Sequence, residues 1–250
     1  MTSFYAPNGT GDLLSRYSFI EPLLPGRRVL EVGGARATEG ASALDLAERG
    51  AAAVLSVEDD GAGLGRAAEL AQHPFVQFRA AALEELPQHA FDLVLVADGA
   101  PLATNPERLA ALAALLSPRG YLVTSLAAPA AGLGALAGSR PRDDSPSYES
   151  FAGALAAEFD VVEMATQSPV VGWVIAPASS PGEEPELGVD GTHGGTPEAA
   201  FYLAICGAQP SRLAGMALVT LPFHPIAEAS RAVAEVARSH EGCRARDEEL

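Results

Sequence analysis

The chain has 250 residues, 48% of them hydrophobic, and a formal net charge of −16. This length and apolar content suffice for one large α/β core, and the negative charge argues against non-specific binding to DNA or RNA. Lysine is absent, which excludes Walker-type phosphate binding and Schiff-base chemistry. The all-arginine bases and abundant alanine are typical of a GC-rich bacterial genome.

Cysteine and histidine form no metal or disulfide pattern. Cys206 and Cys243 have no metal-ligand spacing, and the five histidines never reach H-x-x-x-H spacing. We therefore expect no metal site. The N-terminus lacks a basic region followed by an apolar run, and no apolar stretch approaches a membrane span. The sequence thus predicts a cytoplasmic protein without a membrane span.

The first predicted elements are a helix over residues 11–22 and a βαβ unit over residues 28–58. The unit consists of an apolar strand (residues 28–32), a Gly-rich turn (33–40), a helix (40–49) and a strand (53–57) that ends at Glu58. In a nucleotide-binding unit of this kind, backbone N–H groups of the turn face the ligand and the terminal acid accepts hydrogen bonds from ribose hydroxyls. A βαβ unit with a purely structural role is the alternative.

Glu31-Val-Gly33 resembles the first motif of the class I S-adenosylmethionine (SAM) methyltransferases, an acid followed by spaced glycines. The resemblance implies that the early acid lies near the methionine end of SAM and that the acid after the second strand binds the ribose. Ala35 and Ala37 replace further glycines, and Gly40 restores one close approach of backbone to ligand. The implied cofactor residues here are Glu31, Gly33, Gly34, Ala35, Gly40, Glu58 and Asp59.

Arg16-Tyr17-Ser18-Phe19 resembles a segment of bacterial sugar- and O-antigen-associated methyltransferases, in which such a helix leads into the SAM motif. The resemblance implies that residues 1–24 form a lid with Arg16 or Tyr17 near the cofactor carboxylate. A helix that only packs on the edge of the sheet is the alternative.

The next segment contains a predicted helix (residues 65–72), a strand (75–78) and a stretch (80–87) that resembles the third family motif. In that motif an acid contacts the adenine amino group, and here Ala82 occupies the acid's position. The resemblance places Leu83 beside the adenine and leaves Glu84 as the nearest acid. A lost hydrogen bond of this type reduces affinity by about tenfold, so SAM binding is weakened and not prevented.

The strand predicted over residues 91–98 ends in an acid, Asp98, and resembles the fourth motif of the family. Because catalytic and substrate-facing groups stand at the carboxyl edge of such a sheet, Asp98 is the candidate catalytic base and a further cofactor contact. A turn or capping role for Asp98 is the alternative. His193 and His224, both in predicted loops, are weaker candidate bases.

The later elements complete one α/β domain over residues 1–208. They are a helix (106–116), a turn (117–120) and strand (121–125), a helix (147–158) and strands at 159–164, 170–175 and 199–206. The alternation of strands and helices predicts a mostly parallel sheet with helices on both faces. The resemblance to the class I methyltransferases implies that this is a seven-stranded, Rossmann-like sheet with an antiparallel late strand. Loops 127–146 and 179–197 are expected to set the methyl acceptor.

Residues 209–250 are predicted to form a linker and a helix over residues 225–246. Two readings of this helix remain open: the start of a coiled coil that makes a homodimer, or a helix packed on its own domain. The a/d heptad spacing of six residues supports the first reading: Ile226, Ala229, Val233, Val236, His240 and Cys243.

Two functions follow from these patterns. One is SAM-dependent methyl transfer to a small-molecule or sugar nucleophile. The other is a catalytically inactive methyltransferase-fold domain that binds a protein partner, favoured by the alanines at positions 35, 37 and 82. An NAD-linked oxidoreductase is disfavoured because the glycine spacing of a dinucleotide-binding turn is missing.

Overall fold

The computed structural model describes residues 12–59, 61, 64–128, 145–170, 192 and 198–220. Seven strands lie in this part of the chain: β1 (Arg28–Val32), β2 (Ala53–Glu58), β3 (Val76–Ala80), β4 (Phe91–Val96), β5 (Leu116–Ala127), β6 (Val161–Gln167) and β7 (Phe201–Gly207). The α-helices of the same residues are α1 (Asp12–Phe19), α2 (Gly34–Thr38), α3 (Ala41–Glu48), α4 (Leu64–Leu70), α5 (Pro106–Leu115) and α6 (Tyr148–Glu158).

The strands form one twisted sheet in the order β3-β2-β1-β4-β5-β7-β6. The pairs among β1 to β5 are parallel, whereas β7 runs antiparallel to both β5 and β6. Because β1 is paired with β2 on one side and β4 on the other, Val32 lies opposite both Val57 and Val96. The carboxyl ends of β1, β2 and β4 therefore lie side by side, and the predicted seven-stranded sheet with an antiparallel late strand is confirmed.

Helices cover both faces of the sheet because alternate strand residues point in opposite directions. Leu30 of β1 joins a core with Leu109 and Leu112 of α5 and Phe151 of α6. Val29, its neighbour, joins a second core on the other face, together with α1 and α3. Both faces of the central strands β1, β2 and β4 are largely buried, which explains why these strands are nearly continuous apolar runs, whereas the edge strand β3 is partly exposed.

Two of the helices begin at side-chain caps that the sequence makes visible. Asn105 Oδ1 accepts a hydrogen bond from the backbone N–H of Arg108, and Pro106 occupies the first turn of α5. Ser147 Oγ likewise accepts from the N–H of Ser150 at the start of α6. Each cap satisfies an N–H group that has no partner within its own helix.

Two local predictions differ from the structure. The segment 33–40, predicted as an irregular turn, contains the short helix α2, bounded by Gly33 (φ 80°) and Gly40 (φ 86°) in the left-handed region. The segment 117–120, predicted as a turn, lies inside β5. It is looped out of the pairing there, since pairing passes from Phe91–Leu116 directly to Leu93–Tyr121.

The first part of the predicted linker packs on the domain. The hydroxyl of Tyr121 donates to the carbonyl of Pro210 at 3.1 Å, and Glu163 accepts from the N–H of Ser211 at 2.7 Å. Residues 208–220 contain no helix or strand. The predicted helix over 225–246, most of the strand predicted at 170–175, most of the two predicted loops, His193 and His224 lie outside the described residues. In the part of the chain that the structure describes, no helix is long and apolar enough to cross a membrane.

Candidate functional site

The carboxylate of Glu31 is completely buried beneath α1 and α2. It accepts hydrogen bonds from the hydroxyls of Tyr17 at 2.8 Å and Ser56 at 2.6 Å. Burial raises the pKa of the Glu31 carboxyl, and hydrogen bonds from Ser42, Ser56 and Tyr17 act in the opposite direction. Burial also raises the pKa of Tyr17 well above its ordinary value, so its hydroxyl remains a donor. Glu31 therefore joins α1, α3 and β2 beneath the candidate site.

Gly34, the first residue of α2, lies directly against this carboxylate. A Cβ atom at position 34 would lie 2.2 Å from both Cδ and Oε1 of Glu31. This distance is far below ordinary van der Waals contact. The requirement for glycine at position 34 thus comes from a side chain of the same chain, whatever ligand binds above it.

Glu58, predicted as the ribose-binding acid, ends β2 and is only 6% exposed. Its Oε1 accepts a hydrogen bond of 2.7 Å from the backbone N–H of Arg36 in α2. Within the described residues no hydrogen bond to Oε2 is found. The hydrogen bond from Arg36 to Oε1 therefore orients the Glu58 carboxylate.

Ala35 of α2 is buried against α4 and β3. Its side chain forms a small apolar cluster with Leu64, Ala67 and Phe78. This contact holds α2 as a helix close to the end of β2. The predicted approach of the backbone of residues 33–35 to a cofactor is compatible with this position at the carboxyl edge of β1, and its role stays a prediction.

Arg16 of α1 is 5% exposed and lies at the carboxyl edge of β4. Its guanidinium donates to Oε1 of Gln167 at 2.8 Å, to the carbonyl of Ala97 at 3.3 Å and to the carboxylate of Asp12 at 2.5 Å. Its face lies 4.3 Å above the ring centre of Phe201. Burial lowers the pKa of Arg16, and Asp12 acts in the opposite direction. Because a buried charge is costly unless it is paired, these partners stabilise the Arg16 guanidinium at the carboxyl edge of the sheet.

Asp98 lies just after β4, where it is exposed to solvent. Its Oδ1 accepts a 3.0 Å hydrogen bond from the backbone N–H of Ala100, the geometry of a turn-forming aspartate. The neighbouring β5 carries Thr124, whose buried hydroxyl has no hydrogen-bond partner in the described part of the chain. Asp98 thus has the geometry of the alternative turn role, and its role as a catalytic base stays a prediction.

The predicted adenine region is formed by the segment after β3. Ala82 is exposed and precedes a 3₁₀ turn over Leu83–Glu85. The side chain of Leu83 is 4% exposed and lies in the core with Val57 and Leu86. Glu84 is exposed. The structure thus places these residues at the end of the sheet that holds Glu58, and their predicted contacts with adenine stay predictions.

Asp59, the residue after Glu58, forms an ion pair with Arg108 of α5, with its two oxygens 3.2 and 3.3 Å from one guanidinium nitrogen. The Asp59 side chain is 64% exposed, so the pair contributes little to stability. It nevertheless bridges the end of β2 and the start of α5. Sequence reasoning missed Arg108 because a charged residue in the first turns of a helix gives no signal of a distant partner.

The structure brings Gly33 and Glu58 together at the ends of adjacent strands, whereas Gly40 faces α4 and β3, where a Cβ atom would lie 3.0 Å from side-chain atoms of Ala71 and Phe78. The N–H of Gly33 donates to the carbonyl of Val57, and the N–H of Ala97 donates to the carbonyl of Val32. Gly33, Glu58 and Ala97 are therefore neighbours. No group of three histidine, cysteine or acidic side chains suited to a metal ion occurs within the described ranges.

A separate cavity of about 460 Å³ lies between α4 and the amino end of β3. It contains none of the predicted site residues. Its lining consists of Ala68, Ala71, Gln72, His73, Pro74, Val76 and Phe78.

No model of a known protein family matches this chain, and no curated protein matches it. Solved structures do match. A chain from the complex of the Haloferax volcanii Trm112 methyltransferase activator with a methyltransferase is 13% identical over 79% of this chain and 90% of that chain, with a TM-score of 0.51. A protein assigned as a SAM-dependent methyltransferase from Listeria monocytogenes is 14% identical over 79% of this chain and 99% of that chain, with a TM-score of 0.49.

A SAM-dependent methyltransferase from Mesorhizobium loti is 24% identical to this chain over 46% of its length, with a TM-score of 0.37. The match spans 55% of the Mesorhizobium loti chain. The sheet order and the match to the Haloferax volcanii complex together define the class: the chain has the fold of the class I SAM-dependent methyltransferases. The resemblance recognised in the sequence is thereby confirmed at the level of the fold.

Proposed function

We propose that this chain binds SAM across the carboxyl ends of β1 and β2 and transfers its methyl group to a small-molecule nucleophile. The observation that carries the proposal is Glu58, a nearly buried carboxylate at the end of β2 with one oxygen fixed by the N–H of Arg36. A carboxylate held in this way accepts ribose hydroxyls on its other oxygen without further ordering cost.

The residues fit SAM at two of its three recognition points. Glu58 fits the ribose, and the buried guanidinium of Arg16 fits the carboxylate of the methionine moiety because guanidinium groups pair strongly with carboxylates. The adenine amino group has no matching acid, since position 82 is alanine. We therefore expect measurable but weak affinity.

When bound, SAM supplies a methyl group on a sulfonium that transfers in line to a nucleophile. The chain's own contribution is to position the two reactants. Asp98 is exposed at the end of β4 with one oxygen fixed by Ala100, so its other oxygen is available to accept the proton of an acceptor hydroxyl. The acceptor itself, including the sugar acceptor that the Arg16-Tyr17 segment suggests, belongs to this proposal.

Calorimetric titration of the full chain with SAM and S-adenosylhomocysteine tests the proposal. We expect both ligands to bind, and Glu58→Ala to weaken both at least tenfold, about 1.4 kcal/mol. Glu48→Ala is the matched control, because Glu48 is an exposed acid at the end of α3. Equal affinities for wild type and Glu58→Ala would assign Glu58 a structural role only.

The second candidate function is a non-catalytic domain that binds a protein partner. It is supported by Glu31, whose carboxylate is fully engaged by hydroxyls of the same chain, and by the turn role of Asp98. The methyltransferase of Haloferax volcanii noted above is in complex with an activator protein, which makes a protein partner a natural alternative. A folded chain that binds neither SAM nor S-adenosylhomocysteine would favour this function.

The predicted helix over residues 225–246 offers one partner, a second copy of the chain. Sedimentation of the full chain and of a version ending at Thr220, which keeps the contacts of Pro210 and Ser211 with the domain, distinguishes the two readings of this segment. A dimer that is lost on truncation supports pairing, whereas a full-length monomer at high concentration supports packing on its own domain.

A further inference from the structure

Gln167 is the last residue of the edge strand β6, and its side chain connects this strand to α1. Its Nε2 donates to the carbonyl of Asp12 at 2.9 Å and to the hydroxyl of Ser15 at 2.7 Å. Its Oε1 accepts from Nε of Arg16 at 2.8 Å. Both donors and the acceptor of this amide are therefore used on one helix, about 150 residues earlier in the chain.

The amide fixes the Arg16 guanidinium from one edge only. The ring of Phe201 lies against the guanidinium face, and Gln167 takes Nε. The two terminal nitrogens are directed at the carbonyl of Ala97 and at the carboxylate of Asp12. Ala97 lies beside the turn after β1, because a Cβ atom at Gly33 would be 3.7 Å from the Cβ of Ala97. The terminal nitrogen that donates to Ala97 therefore lies close to the carboxyl ends of both β1 and β4.

Asp12 places a carboxylate on this guanidinium in the structure. Its side chain is 32% exposed, whereas that of Arg16 is 5% exposed. The carboxylate thus approaches from the solvent side. A ligand carboxylate that replaces Asp12 would keep the buried Arg16 guanidinium paired, so the exchange leaves no uncompensated buried charge.

We propose that Gln167 is a positioning residue, which holds Arg16 so that its terminal nitrogens receive the carboxylate of an amino-acid-bearing ligand, and that Asp12 occupies this place when no ligand is bound. The proposal rests on the proposed function, since the ligand carboxylate is that of the methionine moiety. Gln167 acts through Arg16 and does not touch the ligand. A guanidinium with a fixed orientation loses less freedom on binding than a mobile one.

Two ligands that differ only in the amino-acid portion test this role. S-adenosylhomocysteine carries the carboxylate, and 5′-methylthioadenosine has the same nucleoside and thioether without it. We expect Gln167→Ala to weaken S-adenosylhomocysteine about tenfold and to change 5′-methylthioadenosine by less than twofold. Thr166→Ala is the matched control, because Thr166 is exposed on the same strand. Equal losses for both ligands, or no loss for either, would overturn the proposal.

Asp12→Asn gives an independent test that does not require Gln167→Ala to fold. It removes the competing charge and keeps the backbone carbonyl that Gln167 uses. We expect at least threefold tighter binding of S-adenosylhomocysteine and unchanged binding of 5′-methylthioadenosine. Unchanged or weaker S-adenosylhomocysteine binding would contradict the role of Asp12. A wild-type chain that binds 5′-methylthioadenosine but not S-adenosylhomocysteine would refute the role of Arg16 and leave the nucleoside site in place. A wild-type chain that binds neither ligand would refute the proposed function as well.

Discussion

Substitution of Gly34 by alanine tests the packing beneath the candidate site. The new Cβ atom would lie 2.2 Å from Cδ and Oε1 of Glu31 and 2.8 Å from its Cγ. Since unbonded carbon atoms approach to roughly 3.5 Å, the carboxyl group must move by more than about 1 Å. It is completely buried and held by the hydroxyls of Tyr17 and Ser56, so this movement breaks hydrogen bonds.

The expected magnitude combines three effects. Overpacking in a close-packed region costs about 1–3 kcal/mol, and a broken hydrogen bond to the buried carboxylate costs about 1–3 kcal/mol. Replacement of glycine by alanine within a helix stabilises the helix by about 1 kcal/mol, which offsets part of this loss. We therefore expect Gly34→Ala to lower the free energy of unfolding by roughly 1–5 kcal/mol, with about 3 kcal/mol as the central value.

Urea denaturation followed by circular dichroism measures this loss. Gly153→Ala is the matched control, because Gly153 lies in α6 with no atom near the position of a Cβ, and we expect it to be neutral or stabilising by about 0.5–1 kcal/mol. The double variant Gly34→Ala with Glu31→Ala should be at least about 1 kcal/mol more stable than the sum of the single effects. A Gly34→Ala variant within about 0.5 kcal/mol of wild type, or additive effects in the double variant, would refute the reasoning.

Three further predictions concern titratable groups. Burial raises the pKa of Glu31 in the folded state, so the folded chain binds more protons than the unfolded chain, and the free energy of unfolding falls as pH rises above the ordinary carboxyl range. In urea denaturation at several pH values, Glu31→Gln should remove this decline. The pKa of Asp92 is lowered to about 2, chiefly by its hydrogen bond from Arg28, so its stabilisation is lost as pH falls from about 4 toward 2. Asp92→Asn should therefore flatten the acid limb of the same curve, and an unchanged limb would contradict the pairing. Burial raises the pKa of Cys206 to about 12, so iodoacetamide at pH 8 should modify it only after unfolding, as measured by peptide mass spectrometry.

The sequence was a good guide to the fold because its strands are short apolar runs bounded by glycine and proline. The bounds of β1 were predicted correctly, and the acids Glu58 and Asp98 stand at strand ends as expected. Parallel pairing then places these ends at one edge of the sheet without any knowledge of side-chain contacts. The mostly parallel α/β sheet therefore follows from the pattern of elements, whereas the antiparallel late strand was expected only from the family resemblance.

Contacts between distant segments could not be predicted in the same way. Helix α2 has the sequence Gly-Ala-Arg-Ala-Thr, which has no apolar period, and it is held by the burial of Ala35 against α4. Gln167 and Arg16 are separated by 151 positions, and a glutamine at the end of a strand gives no local signal of its partner. The positions of Glu58 and Asp98 at strand ends could thus be predicted from the sequence, whereas contacts between distant segments, such as that of Gln167 with Arg16, could not.

A crystal structure of the full chain with S-adenosylhomocysteine tests the central claim most directly. The account predicts the ribose hydroxyls within hydrogen-bonding distance of Glu58, with the N–H of Arg36 still on Oε1, and the ligand carboxylate on Arg16. A ligand bound elsewhere, such as the cavity between α4 and β3, or a site that stays empty at millimolar ligand, would contradict it.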